Sequence, residues 1–372
     1  ESLCTELAAA HGEWVAQRTG LVLDPYFSAP KMAWLRRNLS TEGVLTTSDS
    51  WLVHQLTGEF VTDASTASRS LLTDLDTRAW DPALLDLFGL AAEQLPRIVA
   101  SDEVIGATRA FGSELPVAGL IVDQQAALFA EGCLAPGEAK CTFGTGAFLL
   151  ANTGSHAPRS TSGLTTSLAW RARGVSAYCL DGQVYTAASA VRWLQDLGFI
   201  NDAGQLDSVA AADAEGVLCV PALAGLAAPW WRPDATASFT GMTLSTRPGH
   251  LIFAVLQGIA AQVAELVALV DADTGAPLTR LRVDGGLTRC RTLMQATADL
   301  TQLPLEVYPS PHATAIGAAA FARLALDPTL ALVDAVPAWT PTVGYEPRWS
   351  ADQAAEFRTR WRNAVDANAV TR

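Results

Sequence analysis

GLIVDQQAALFAEG, Gly119 to Gly132, holds the residues on which the fold turns. Leu120, Ile121 and Val122 run straight into an acid, Asp123, and two glutamines and an alanine-rich stretch follow. Pro116 to Val122 reads as a strand and Asp123 to Glu131 as a helix, so a carboxylate stands at the junction. In open α/β sheets ligands gather beyond the carboxyl ends of strands, and an acid there faces the crevice. Such a group is placed to take a proton from a substrate hydroxyl during phosphoryl transfer. The same acid also reads as an N-cap that accepts backbone N–H bonds of the following helix. The stretch alone leaves both readings open.

A chain of 372 residues exceeds the usual size of a single core, so two domains are expected. With 49% hydrophobic and 17% charged residues it belongs to the well-packed globular class. Its net charge of -13 argues against a nucleic-acid partner or an anionic membrane, both of which would repel it. A small molecule is the expected partner, and nothing excludes a homo-oligomer. Six scattered cysteines without a CxxC pair fit reduced thiols in the cytoplasm, and no metal-ligand spacing occurs. Secretory signal features are absent at the start. The apolar run Leu251 to Val270 is interrupted by Gln257, Gln262 and Glu265, which fits a buried helix better than a membrane span.

Up to about Gly132 the pattern is mostly helical, with helices at Met32–Leu39 and Asp49–Leu56 and a glycine stop at Gly58. Leu134-Ala135-Pro136-Gly137 then punctuates a domain boundary. Beyond it strands read at 139–143, 147–152, 175–180, 217–220, 281–283 and 305–307. Helices read at 187–197, 251–270, 292–300 and 313–326. Strands alternating with helices imply an α/β core with covered sheet faces.

Three further stretches carry possible chemistry. In CTFGTGAFLL (141–150) a Gly144-Thr145-Gly146 turn joins two apolar strands; it reads as an anion-binding nest or as a plain hairpin. In RLRVDGGLTRCRTLMQATADL (280–300) Gly285-Gly286 follows a strand; it reads as a close approach to a nucleotide or as a turn with positive φ. The tryptophan pair in LAGLAAPWWRPDATASFTG (223–241) reads chiefly as packing. Neither GxxxxGK[ST] nor GxGxxG occurs, which excludes a P-loop and a dinucleotide fingerprint.

Taken in order, TGLVLDPYFSAPKMAWL (19–35), SDSWLVHQLTGEFVTDASTASRSLL (48–72), GLIVDQQAALF, KCTFGTGAFLLANTG, VDGG and ATAIGAAAFA resemble the FGGY carbohydrate kinases, and within them the members that phosphorylate glycerol. The resemblance runs from near Glu1 to the C-terminal helix. It implies the actin-like ATPase (ribonuclease H-like) architecture, an α/β fold of two domains closing on a cleft. Residues 1–132 would be the remainder of the N-terminal domain, with polyol site and base, and 133–372 the nucleotide-binding domain. The implied activity is ATP-dependent phosphorylation of a terminal hydroxyl of glycerol or a related small polyol. A kinase for a tetritol or ketopentose, or a catalytically inactive nucleotide-binding fragment, is the alternative.

Carried over residue by residue, the resemblance makes Asp123 the general base and Gln124 a substrate contact. Tyr26 and Phe148 would line the polyol pocket. Gly144 and Thr145 would donate to nucleotide phosphates, and Ala188, Arg192, Gly286 and Cys290 would approach the nucleotide. Mg²⁺ is expected to accompany ATP, because phosphoryl transfer depends on charge neutralisation. The departures are specific. Ala188 replaces a family glycine, Arg192 a glutamine, Cys290 an asparagine and His312 a glutamate; APYWDPxARG reads APWWRPDATA, with Arg232 and Thr236 altered. The family's DxGTT phosphate loop occurs nowhere in the chain, and its polyol-gripping Arg-Glu pair and tryptophan belong before Glu1. An incomplete first domain is therefore expected, and with it a chain inactive by itself.

Overall fold

A computed structural model describes residues 2–369. Helices Ser2–Thr19, Ser28–Asn38 and Ser48–Thr57 open the chain. Gly58, at φ 81°, ends the third, where a left-handed residue costs glycine little. A parallel pair follows, Val61–Asp63 against Arg97–Val99, with the short helix Ala64–Ser68 capped by Asp63. A hairpin, Val104–Thr108 with Leu115–Ala118, completes this part.

The C-terminal part is built on seven strands in the spatial order Gly344–Tyr345, Leu305–Val307, Leu281–Asp284, Ala139–Phe143, Ala147–Gly154, Val175–Val184 and Thr165–Ala172. Ala139–Phe143, Leu281–Asp284 and Leu305–Val307 run parallel; the remaining pairs are antiparallel. Alternation sends Ala147, Leu149, Ala151, Leu180 and Val184 to one face, where they join the 27-residue helix Pro248–Thr274 in the larger core. That helix is apolar and long enough to cross a membrane, but 78% of its apolar window is buried inside the fold, as the interrupting glutamines suggested. Leu150, Ala177 and Cys179 point the other way, onto helices Asp123–Ala130 and Ala313–Leu326. Phe129 lies 4.5 Å from Phe321 between their ring centroids and 5.3 Å from Trp170.

Those two helices touch backbone to backbone. A Cβ on Gly317 would stand 1.9 Å from the Ala126 carbonyl oxygen, so no side chain fits there. Gly119, at φ 72°, passes equally close to Ala322. This contact corrects the strand expected over 116–122. Pairing stops at Ala118 because Gly119 turns the chain over the helix, and Leu120 and Val122 donate their N–H groups to Ser101 O and Ser65 Oγ instead.

Thr165–Ala172 was not legible as a strand, although it forms one edge of the sheet. The N-terminal part covers that edge: Thr166 N donates to Gly20 O, Ser101 N to Arg171 O and Leu168 N to Ser68 Oγ. The tryptophan loop packs as expected, with Trp231 Nε1 donating to Gly163 O at 2.7 Å and Trp230 lying edge-on to Trp361.

Gly317→Val is expected to lower unfolding stability by about 2–3 kcal/mol or more in a denaturant titration, because overpacking here meets main chain that cannot yield. A second test concerns Glu131, fully buried at the end of helix Asp123–Ala130 with neither carboxyl oxygen hydrogen-bonded. Burial, then Asp284, pushes its pKa well up, with Lys140 and Arg282 opposing. A folded pKa above the unfolded value means stability is lost as pH rises from about 4.3 through the folded value. Glu131→Gln should therefore flatten the fall of Tm between pH 5 and 8; an unchanged slope would remove this account.

Candidate active site

Asp123 is exposed at the first position of its helix. The N-cap is Val122, not Asp123, so the capping reading does not describe this residue. Its Oδ1 accepts the N–H of Gln124 at 2.7 Å, and Thr314 Oγ1 donates to its main-chain oxygen at 3.4 Å. An acid in the first helical turn also lies where the helix dipole favours negative charge.

Gln124 follows on the same turn, and the sheet holds it. Lys140, fully buried on Ala139–Phe143, donates from Nζ to Gln124 Oε1 at 2.5 Å and to Thr142 Oγ1 at 2.5 Å. An ammonium has only donors, so it fixes the amide oxygen inward and leaves the Gln124 NH₂ group for another acceptor. Thr142 pairs with Phe148 on the adjacent strand, and Phe148 is half-buried beside the second core cluster. Lys140 escaped the sequence reading; a lone lysine inside an otherwise apolar strand was its signal.

Tyr26 comes from the N-terminal part. Its ring packs edge-on against Phe27 at 5.3 Å, and the Arg69 guanidinium lies 5.8 Å from the ring centre. Although 40% exposed, its phenol has a raised pKa: packed protein removes solvent from it, Arg69 opposes the rise, and Asp181 and Asp123 add to it. Arg69 forms a buried ion pair with Asp181 on Val175–Val184, joining the two halves of the chain. Burial works against the Arg69 charge, yet Asp181, with Tyr26 and Cys179, keeps its pKa raised. Tyr185 stands nearby; burial raises its phenol, and Asp24 and Tyr26 add to the rise. Asp123, Gln124, Phe148 and Tyr26 thus gather on the sheet face that carries the helix pair.

The Gly144-Thr145-Gly146 turn closes the next edge. Gly144 N donates to Gly146 O inside the turn, so that amide is already engaged; Thr145 is exposed. Ala188 N donates to Gly144 O, Ser189 Oγ donates to Thr145 O, and Arg192 is exposed one helical turn further on. Gly285, at φ 95°, brings its backbone against Phe143: a Cβ there would sit 2.4 Å from the Phe143 oxygen. The Gly144-Thr145-Gly146 turn and the Gly285-Gly286 turn are therefore neighbours, and Gly286 lines a cavity of about 330 Å³ with Asp284, Thr288 and Tyr308. Cys290 stands apart. It is buried, its thiol donates to Asp207 Oδ1 at 3.6 Å, and burial pushes its pKa up to about 12. Asp207 belongs to a larger cavity of about 710 Å³ that none of the residues expected at the site lines. Size is a poor guide here, and the convergent polar groups around Asp123 mark the better candidate.

Among the described residues no three His, Cys, Asp or Glu side chains converge on a metal position. Mg²⁺ that travels with a nucleotide needs one or two carboxylates besides phosphate oxygens and water, and the exposed Asp123 fits that demand.

Comparison with known proteins identifies the family. Residues 1–130 match the N-terminal domain profile, and residues 139–326 the C-terminal domain profile, of the FGGY family of carbohydrate kinases. A glycerol kinase of Bordetella parapertussis is 41% identical over 385 aligned residues, spanning 98% of this chain and 76% of that protein. One from Gloeobacter violaceus is 46% identical over 334, spanning 87% of this chain and 67% of that protein. The crystal structure of Plasmodium falciparum glycerol kinase with ADP superposes with a TM-score of 0.89 at 32% identity, covering 100% of this chain and 78% of that one. The actin-like two-domain fold expected from the sequence is thereby shown, and the chain belongs to the FGGY family of carbohydrate kinases.

Proposed function

We propose that the protein transfers the terminal phosphoryl group of ATP to a terminal hydroxyl of glycerol. The observation that carries this reading is the exposed Asp123 carboxylate, fixed by a close-packed helix pair beside Gln124, Phe148 and Tyr26. Relatedness to glycerol kinases over 98% of the chain supports the same chemistry.

In the proposed reaction Asp123 accepts the proton of the substrate hydroxyl as its oxygen attacks the γ-phosphorus, and the bond to the ADP oxygen breaks. Gln124, its oxygen held by Lys140, donates its amide hydrogens to the polyol. Phe148 presents an apolar wall to the carbon chain, and Tyr26 closes the pocket from the N-terminal side. Thr145 supplies the phosphate contact at the turn, while Gly144 and Gly286 keep that edge bare of side chains. We place Ala188 and Arg192 on the nucleotide side; Cys290 acts there only through the turn it supports. Mg²⁺, held through Asp123, phosphate oxygens and water, would neutralise phosphate charge when bound. Residues 1–132 form the polyol half and 133–372 the nucleotide half of this scheme, and every named group comes from one chain. Six free, buried cysteines suit a reducing compartment, the cytoplasm.

In any form of the protein that phosphorylates glycerol, Asp123→Asn should lower kcat by about 10²–10⁴-fold with little change in Tm. Ordinary turnover in a coupled ADP-release assay would remove the base. Lys140→Met should raise KM for glycerol about tenfold and leave KM for ATP unchanged, since Gln124 loses the anchor of its amide oxygen. Equal shifts in both constants would indicate a general loss of structure.

A further inference from the structure

Gln183 is 1% exposed, yet neither its Nε2 nor its Oε1 has a hydrogen-bond partner in the protein. Buried amides are nearly always paired, so two idle atoms on one side chain call for a ligand. Its position says which. Residues 181 and 183 fall on one face, because side chains along a strand repeat every second residue. Asp181 on that face holds Arg69, whose guanidinium lies against the Tyr26 ring, and Tyr185, just past the strand end, responds to Asp24 and Tyr26. Gln183 lies between them. Across the ladder it is the direct partner of Phe148, and the next pair on the same face is Asp181 with Leu150. Gly182, pointing oppositely, meets Leu266 and Leu164 in the other core. The free amide therefore lies on the sheet face shared by Phe148 and by the Asp181–Arg69 pair that backs Tyr26.

We propose that Gln183 is a specificity-determining residue that recognises a vicinal diol, with Nε2 donating to one hydroxyl and Oε1 accepting from its neighbour. An amide offers a donor and an acceptor side by side, and two adjacent hydroxyls answer both, whereas an isolated hydroxyl answers one. This rests on the kinase reading and narrows it: the preferred substrates are polyols in which the phosphorylated hydroxyl belongs to, or adjoins, a 1,2-diol.

The test compares glycerol, 1,2-propanediol and 1,3-propanediol as phosphoryl acceptors. The unmodified protein should favour the first two. Gln183→Leu, close in volume and without polar atoms, should raise KM for glycerol and 1,2-propanediol about tenfold while leaving 1,3-propanediol and ATP unchanged. Gln183→Met provides a second apolar replacement should branching at this site impair folding, which thermal melting would reveal. If the variants shift Tm but keep the diol preference, or move all three KM values together, the amide is structural and the assignment is wrong. If the unmodified protein phosphorylates glycerol but not 1,2-propanediol any better than 1,3-propanediol, the assignment fails while the kinase reading stands. Failure to phosphorylate any of the three would overturn glycerol as the acceptor, and the diol assignment with it.

Discussion

The crossing of helix Asp123–Ala130 over helix Ala313–Leu326 is the constraint on which the rest depends. The two backbones meet where Gly317 faces the Ala126 carbonyl, a separation that leaves no room for even one added carbon. Interiors this dense do not deform gradually; they hold one arrangement or lose it. The first residue of the crossing helix is Asp123, so the depth of the helix contact sets where that carboxylate emerges. Thr314, one turn before Gly317, donates to the Asp123 main-chain oxygen and ties the helix start to the same partner.

The pair is positioned in turn by the sheet. Phe129, Trp170 and Phe321 fill the layer between helices and strands, and Lys140 reaches through it to hold Gln124. On this face the sheet is apolar under the helices and polar toward the N-terminal part, where Arg69 meets Asp181. A buried ion pair contributes little net stability, because desolvation offsets the attraction, but losing one partner leaves an uncompensated charge. Arg69 and Asp181 therefore act chiefly as a register between the two parts. With Gly20, Ser68 and Ser101 pairing along Thr165–Ala172, they hold the Tyr26 ring against Arg69 at the seam between the two parts.

Departures from the family pattern fall unevenly across this frame. Asp123, Gln124, Tyr26 and Phe148 keep the residue types that the resemblance implies, and Gln124 and Phe148 share one sheet face near the helix crossing. Ala188, Arg192 and Cys290 differ from it, and they lie around the turns on the far side. Arg192 is exposed, and Cys290 has turned its thiol inward to Asp207.

Period and punctuation in the chain determined much by themselves. Strands Ala139–Phe143 and Leu305–Val307 and helix Ala313–Leu326 have the expected ends, because apolar residues recur at strand or helix spacing and glycines mark the turns between them. The helix beginning at Asp123 was equally plain. What local pattern did not contain is which groups meet across long stretches of chain. Thr165–Ala172 looks unremarkable until distant residues cover its edge, the strand before Asp123 ends early because a helix two hundred residues later lies against Gly119, and Gln183 reads as an ordinary strand residue until its face is known. Burial and pairing are properties of the assembled fold: a hydrogen bond left unmade, like a helix contact that excludes a side chain, exists only once both partners are in place.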